Sequence, residues 1–293
     1  MISVSVCVCA YNEEGNIKSA LESILAQTLD GFSLEEVIVV SSASTDRTDA
    51  IVSELSGRDR RIRLVRQSKR EGKTSAVNLF MSQAKGDVLV LVNADNRLAA
   101  GSLQKLLEPF LDSKIGAVGG HPVPVNPRDN LIGFTVHMLW EMHHQLSLIH
   151  PKLGELIAFR NIGVTIPECQ STDEDYIRMS IERNGFSVVY APEAVVMNRG
   201  PGTLSDLWKQ RVRVNIGESY LKARYGYTVP TWEMQYLFPS VINLLKMNKN
   251  NVHMVIGSMI LEGAFRVYSS VYVRLDKGDQ TVWSMVSTSK KLE

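Results

Sequence analysis

Apolar and polar positions in the first 120 residues alternate between two periods. Val4-Ser5-Val6-Cys7-Val8-Cys9 reads as a first strand. Residues 16–27 follow with Ile17, Ala20, Leu21, Ile24 and Leu25 on one helical face. Val37-Ile38-Val39-Val40 is an unbroken β-branched run, which predicts a strand buried on both faces. The spacing then predicts a helix over 48–55, a strand over 62–65 and a helix over 74–84 ended by Gly86. A fourth strand over 87–92, a helix over 103–111 and a fifth strand over 115–118 complete this half. Short strands alternating with helices imply an α/β fold, a mostly parallel central sheet with helices on both faces.

The second half is less regular. Pro122, Pro124 and Pro127 predict an extended loop. A long helix is expected over 131–149, stopped by Pro151. A strand over 155–159, a helix over 173–183 ended by Asn184-Gly185, a strand over 186–190 and a helix over 203–224 follow. The remainder, from Tyr227, is expected to be mainly helical. Ligands of such sheets bind beyond the carboxyl ends of the strands. Three of those ends are polar: Ala10-Tyr11-Asn12-Glu13, Ser41-Ser42-Ala43-Ser44 and Asn93-Ala94-Asp95. They are expected to share one crevice.

Composition narrows the classes. A formal net charge of +1 gives no global case for nucleic-acid binding. Cys7 and Cys9, two apart on a strand, point the same way and fit core packing; Cys169 is remote. Three cysteines in this arrangement suit a reducing compartment rather than a disulfide framework. The N-terminus reads as having no signal peptide, since polar residues follow Ala10 at once. No run of about 20 apolar residues occurs. The nearest approach, residues 252–275, carries Glu262 and Arg266 and reads as an amphipathic or buried helix.

An ordered set of motifs carries the chemistry. Ala10-Tyr11-Asn12-Glu13-Glu14 follows strand one and Ser44-Thr45-Asp46-Arg47-Thr48 follows strand two. Next come Gly72-Lys73, Ala76-Val77-Asn78, Gly86-Asp87, Asn93-Ala94-Asp95, Glu174-Asp175 and Gln210-Arg211-Val212-Arg213. Together they resemble the inverting family 2 glycosyltransferases of GT-A fold, over roughly residues 2–225. The resemblance implies a Rossmann-like domain over 1–225 and a mainly helical C-terminal extension over 226–293. Within the domain, 1–120 would form the nucleotide-sugar-binding half and 121–225 the acceptor-binding half.

It also implies the reaction: transfer of a sugar from a nucleoside diphosphate to an acceptor hydroxyl, in glycan, polysaccharide or glycolipid synthesis. A nucleotide diphosphate needs a divalent cation, Mg²⁺ or Mn²⁺, and Asp95 is the expected ligand. The family's Asp-x-Asp has Asn93 in its first place here, a neutral oxygen suited to ribose or phosphate. The plain alternative is a polar strand-end turn. Asp175 is the expected general base, because an inverting transfer with a metal-bound leaving group needs one carboxylate. Asp173 and Glu174 beside it would raise its pKa, while a helix N-terminus would favour the charged form.

Ala10, Tyr11, Asn12 and Glu13 resemble the nucleoside-binding turn. Ser41-Ser42-Ala43-Ser44 stands where relatives often carry Asp-Asp-Gly-Ser, so Ser42 is the expected donor contact and the nucleobase stays open. Lys73 would lie by the diphosphate; the glycine spacing excludes a nucleotide-binding P-loop. Glu174, Gln210, Arg211 and Arg213 are the expected diphosphate and acceptor contacts. Val214 replaces the Trp of the family's Gln-x-x-Arg-Trp signature, which weakens a processive reading. His137, Glu141 and His144 share a helical face that could hold zinc, though a packing surface is the more usual use. Met138, Leu139, Trp140 and Met142 suggest an adaptable wall against a lipid or aglycone.

The expected partners are a nucleotide-sugar donor and a glycan or lipid-linked acceptor, in the cytoplasm or at the cytosolic face of a membrane. Lys209, Arg211, Arg213, Lys222 and Arg224, set among apolar residues, fit either an anionic bilayer surface or burial in the fold. The C-terminal third is open to use as a homodimer surface or a membrane-facing cover. A catalytically silent sugar-nucleotide-binding or scaffold protein of the same fold is the alternative function, motivated by Asn93, Ser41 and Val214.

Overall fold

The computed structural model describes residues 1–167, 172–229, 232–275 and 287–289. Cys169 lies outside the described residues. The elements run β1 (Ile2–Ala10), α1 (Ile17–Leu25), β2 (Phe32–Ser42), α2 (Thr48–Arg58), β3 (Ile62–Gln67), α3 (Lys73–Gln83) and β4 (Val88–Asn93). Then come β5 (Arg97–Leu98), α4 (Ser102–Leu107), β6 (Ile115–Pro124), α5 (Leu131–Ile149), β7 (Leu156–Arg160) and α6 (Asp173–Arg183). The last are β8 (Ser187–Asn198), α7 (Leu204–Tyr225), α8 (Met234–Met247) and α9 (Val252–Arg274).

The strands form one sheet in the order β3-β2-β1-β4-β7-β6-β8-β5. β3, β2, β1 and β4 are parallel, as are β6 and β8. β7 runs antiparallel to both β4 and β6, and β5 antiparallel to β8. Alternation along β1 sends Val4, Val6 and Val8 to one face and Cys7 to the other. The first face buries Ile17, Leu21 and Ile24 of α1 with Leu103 and Leu106 of α4. The second buries Val77 and Phe80 of α3 with Ile177 and Ile181 of α6. Cys7 and Cys9 are free thiols 3.6 Å apart on this second face.

Three local readings are corrected. Pro122 and Pro124 are not in a loop but in β6, paired with Val196 and Asn198 of β8. The β6–β7 ladder covers only Ala117–Gly119. Beyond it β6 has one neighbour, and an edge tolerates residues without an N–H. β8 extends to Asn198, well past residue 190. Gly86 does not end α3 as a left-handed cap; a Cβ there would lie 2.5 Å from the Ser5 backbone nitrogen, so the glycine permits close approach to β1.

The second half adds a helical layer. Asn130 caps α5 by accepting from Gly133 N at 2.9 Å, and Gly226 (φ 69°) ends α7 in the left-handed region. Leu207, Val212 and Ile216 of α7 are buried with Val136 of α5 and Phe265 of α9. The apolar side of α7 is therefore inside the fold. Phe134, Met138, Met142 and Leu146 of α5 pack with Leu244 of α8 and Val255 of α9. Among the described residues no helix is long and apolar enough to cross a membrane.

Candidate active site

A cavity of about 450 Å³ opens at the carboxyl ends of β1, β2 and β4 and is closed by α5, the start of α6 and α7. It brings together most of the residues singled out in the sequence. Ala10, Tyr11, Glu13, Ser42, Lys73, Asn93, Asp95, Glu174, Asp175, Gln210, Arg211 and Arg213 all line it. Asn12 does not. Its backbone is left-handed (φ 53°), its Oδ1 accepts from Thr45 N at 2.8 Å and its N donates to Ser44 Oγ at 3.1 Å. Asn12 therefore binds the turn after β1 to the turn after β2. Glu13 is buried; its N donates to Thr48 Oγ1 at 2.8 Å and its carboxylate accepts from Asn16 at 3.1 Å.

The turn after β2 shows what its serines do. Ala43 holds a positive φ of 56°, an uncommon state for a residue with a Cβ. Ser42 Oγ is buried at the cavity with no hydrogen-bond partner among the described residues. A buried hydroxyl left unpaired is unfavourable, and at the cavity wall it is open to a ligand atom. Across the mouth the Arg70 guanidinium lies 4.2 Å from the centre of the Tyr11 ring.

Asp95 is fixed by the turn after β4. Asn93 Nδ2 donates to Glu155 Oε2, and Asn96 Nδ2 reaches the same oxygen at 3.2 Å. Burial and then the Glu155 charge push the Asp95 carboxyl up to about 7, against Lys73 and Arg213. A carboxyl held in this state gains from a cation. Among the described residues no three His, Cys, Asp or Glu side chains are grouped to hold a metal. A divalent ion at Asp95 would therefore draw its other oxygens from the ligand, as a diphosphate can supply. Asp95 supplies one hard oxygen of the kind such a cation takes. The zinc reading of α5 does not fit: His137 Nε2 bonds to Asn126 O at 2.7 Å and His144 Nδ1 to Tyr190 Oη at 2.9 Å, while Glu141 accepts from Gln145.

Lys73 begins α3 and pairs with the start of α6, Nζ lying 3.1 Å from Asp173 Oδ2 and 2.7 Å from Glu174 Oε1. Burial opposes ionisation of Glu174, but Lys73 and a hydrogen bond from Asp173 outweigh it and hold Glu174 at about 2. Asp175 faces the cavity beside them. Burial raises it to about 7; Lys152 and Arg178 oppose the rise, and Glu218 and Glu174 add to it. The upward direction matches the sequence reading, with burial rather than the neighbouring carboxylates as the leading cause.

On α7, Gln210 and Arg213 line the cavity, and Arg213 makes no ion pair among the described residues. Arg211 is committed elsewhere, in a two-pronged pair with Glu262 of α9 at 2.9 and 2.8 Å. Sequence reasoning missed Glu155, Asn96, Lys152, Arg199 and Glu218, all on the cavity. Asn96 lies one residue past Asp95 and was within reach of the strand-end argument. The others depend on chain directions and helix docking that spacing alone does not give.

Comparisons with known proteins agree with this geometry. Residues 5–178 match the model of glycosyl transferase family 2. Poly-beta-1,6-N-acetyl-D-glucosamine synthase of Staphylococcus aureus (strain MSSA476) is 25% identical over 223 residues, 72% of this chain and 53% of that one. The chain thus spans about half the length of that relative. The uncharacterized glycosyltransferase EpsJ of Bacillus subtilis (strain 168) is 32% identical over 116 residues, 40% of this chain and 33% of the relative. Among solved structures, mannosyltransferase PcManGT from Pyrobaculum calidifontis, in complex with GDP-Man and Mn²⁺, superposes with a TM-score of 0.66 at 22% identity. The match covers 94% of this chain and 87% of that one. Glucosyl-3-phosphoglycerate synthase from Mycobacterium tuberculosis, in complex with Mn²⁺, UDP and phosphoglyceric acid, gives 0.52 at 20% identity over 78% and 80%. At these identities the structural likenesses speak for the fold, and the family match covers more than half of the sequence. The chain belongs to glycosyl transferase family 2 and has the GT-A fold.

Proposed function

We propose that this chain is an inverting glycosyltransferase that moves a sugar from a nucleoside diphosphate to an acceptor hydroxyl. One observation carries the reading: Asp95, from the donor half, and Asp175, from the acceptor half, line the same cavity. Asp175 takes the proton of the acceptor hydroxyl as its oxygen attacks the anomeric carbon. The bond from that carbon to the diphosphate breaks, and the electron pair leaves with the nucleoside diphosphate. A divalent cation bound by Asp95 would offset the charge of that leaving group. Arg213 supports the diphosphate, Ser42 and Glu13 the nucleoside, and the Leu139, Trp140 and Met142 wall the acceptor. A hexose or N-acetylhexosamine is the proposed sugar, in keeping with the sugars in the relatives' names.

The test is thermal unfolding with a panel of nucleotide sugars, with and without Mn²⁺, followed by product analysis. A ligand that binds only the folded state raises the midpoint. A metal-dependent shift with one nucleobase, and release of nucleoside diphosphate on transfer, are the expected results. No shift with any donor, in folded protein, would favour a silent binding protein. Release of pyrophosphate would make it a nucleotidyltransferase.

We also propose where it works: on an anionic membrane surface, with a glycan or lipid-linked acceptor. The support comes from α8 and α9 rather than α7. Phe238, Ile260 and Val267 are 61%, 67% and 66% exposed, and Ile256, Val271 and Leu275 continue the apolar strip. Lys246, Lys249 and Arg274 are exposed beside it, while Glu262, the one acidic residue between 234 and 275, is buried. Apolar area with basic flanks suits a bilayer interface, and like charges disfavour pairing with a second copy. Co-flotation with phosphatidylglycerol vesicles at low salt is expected, and its loss in Ile260→Asp. No flotation, with a doubled mass in solution, would assign the strip to a homodimer instead.

A further inference from the structure

Lys152 lies on the connection from α5 to β7 and lines the cavity, yet it is only 7% exposed. Among the described residues it makes no ion pair and no side-chain hydrogen bond. The other lysine of the cavity, Lys73, is held by Asp173 and Glu174, and Arg211 and Arg266 are held by Glu262. The neighbouring His143 is no counter-ion: burial, then Lys152, drives it down to about 3, so the ring is neutral. An ammonium buried without a partner is costly, and a fold keeps one only where something else completes it.

The backbone is shaped to put Lys152 there. A Cβ on Gly119 would fall 2.2 Å from the Lys152 carbonyl oxygen. Only glycine on β6 lets this connection pass so close to the sheet. Of the cations that act on Asp175, Lys152 acts most strongly, ahead of Arg178. Asp175 also feels Glu218 from α7, Glu174 and Arg178 from α6, and Tyr227 beyond α7. Lys152 and Asp175 line the one cavity, and no ion pair joins them among the described residues, so both are open to the same ligand.

We propose that Lys152 is a catalytic partner of Asp175, its ammonium donating a hydrogen bond to the acceptor oxygen while that oxygen passes its proton to the Asp175 carboxylate. The inference rests on the glycosyltransferase reading above. The O–H bond breaks as the bond to the anomeric carbon forms, and the diphosphate leaves with its electron pair. Lys152 keeps its own proton throughout and stabilises the negative charge that grows on the oxygen.

The experiment measures kcat/KM for the acceptor from pH 5.5 to 9 in the full chain and in Lys152→Met, Lys152→Arg and Asp175→Asn, with unfolding midpoints for each. Lys152→Met is expected to lose about 10²-fold at pH 7. Its acidic limb moves to higher pH, because Asp175 loses the cation that favours its charged form. The donor-induced midpoint shift stays, and the ligand-free midpoint rises, since an unpaired buried charge has gone. Lys152→Arg recovers part of the rate. A loss equal at every pH with a lowered midpoint would make Lys152 a packing residue and overturn the proposal, as would an unchanged rate. If Asp175→Asn retains full transfer, the underlying reading falls instead, which separates the two failures.

Discussion

Lys73 Nζ lies 2.7 Å from Glu174 Oε1, so the first residue of α3 is tied to the first turn of α6 across about a hundred positions of sequence. The pair joins the proposed nucleotide-facing half to the half that carries the proposed base, Asp175. Lys73→Met is expected to lower stability by about 1–3 kcal/mol, less than for a fully buried pair because the side chain keeps 37% of its exposure. Chemical denaturation reads the loss. Lys73→Arg, which keeps the charge, should restore part of it.

Asp175→Asn removes the proposed proton acceptor without changing shape. A general base contributes about 10²–10⁴-fold, and kcat should fall by that range. The donor-induced midpoint shift should remain, because the change is on the acceptor side. In the native chain, kcat/KM should rise with pH through about 7, where Asp175 ionises.

Stability without ligands should run the other way. Asp95, Asp173 and Asp175 are each pushed up to about 7 from an ordinary value of 3.8. They bind protons more tightly folded than unfolded, so stability is greatest below 3.8 for these groups and is lost as pH rises to about 7. Glu174 and Glu262, held at about 2, have the opposite sign and lose their contribution as pH falls from 4.5. The unfolding midpoint should therefore be highest near pH 4 and decline toward neutrality. Asp95→Asn should flatten the decline, and Mn²⁺ with donor should reverse it.

Glu262 is the hinge of the helical layer, accepting from Arg211 and Arg266 with 9% of its side chain exposed. Glu262→Gln leaves two guanidinium groups short of a counter-charge and should cost about 3 kcal/mol. The double variant Arg211→Met with Glu262→Met should recover most of that. Failure of the pair to recover would mean that packing, not charge, joins α7 to α9.

How much of this was legible in the sequence depends on the range of the forces involved. α5 and α6 were readable to the residue, because Asn130, Pro151 and Asn184-Gly185 are local stop and start signals. The polar strand ends that line the cavity followed from the parallel β1, β2 and β4. Glu155 did not. Only the antiparallel sense of β7, with Val92 opposite Leu156, sets it beside Asn93. Nothing in residues 155–159 states which way that strand runs. Lys152 was invisible for a similar reason, since its burial depends on Gly119, 33 positions earlier. The basic residues of α7 looked like a surface, and Arg211 turned out to be bound inside because α9 supplies Glu262.

Phe265 of α9 shares one buried cluster with Val136 of α5 and Ile216 of α7, and Arg266 on the next position reaches the cavity wall. In the proposed reading the nucleoside is met instead at the ends of β1 and β2, by Glu13 and Ser42. The molecule is thus divided for variation along a line other than its sequence halves. Exchange of α5, α7 and α9 as a set between relatives should change the acceptor and leave the nucleotide preference alone, whereas exchange of α9 by itself should leave a misfitted wall.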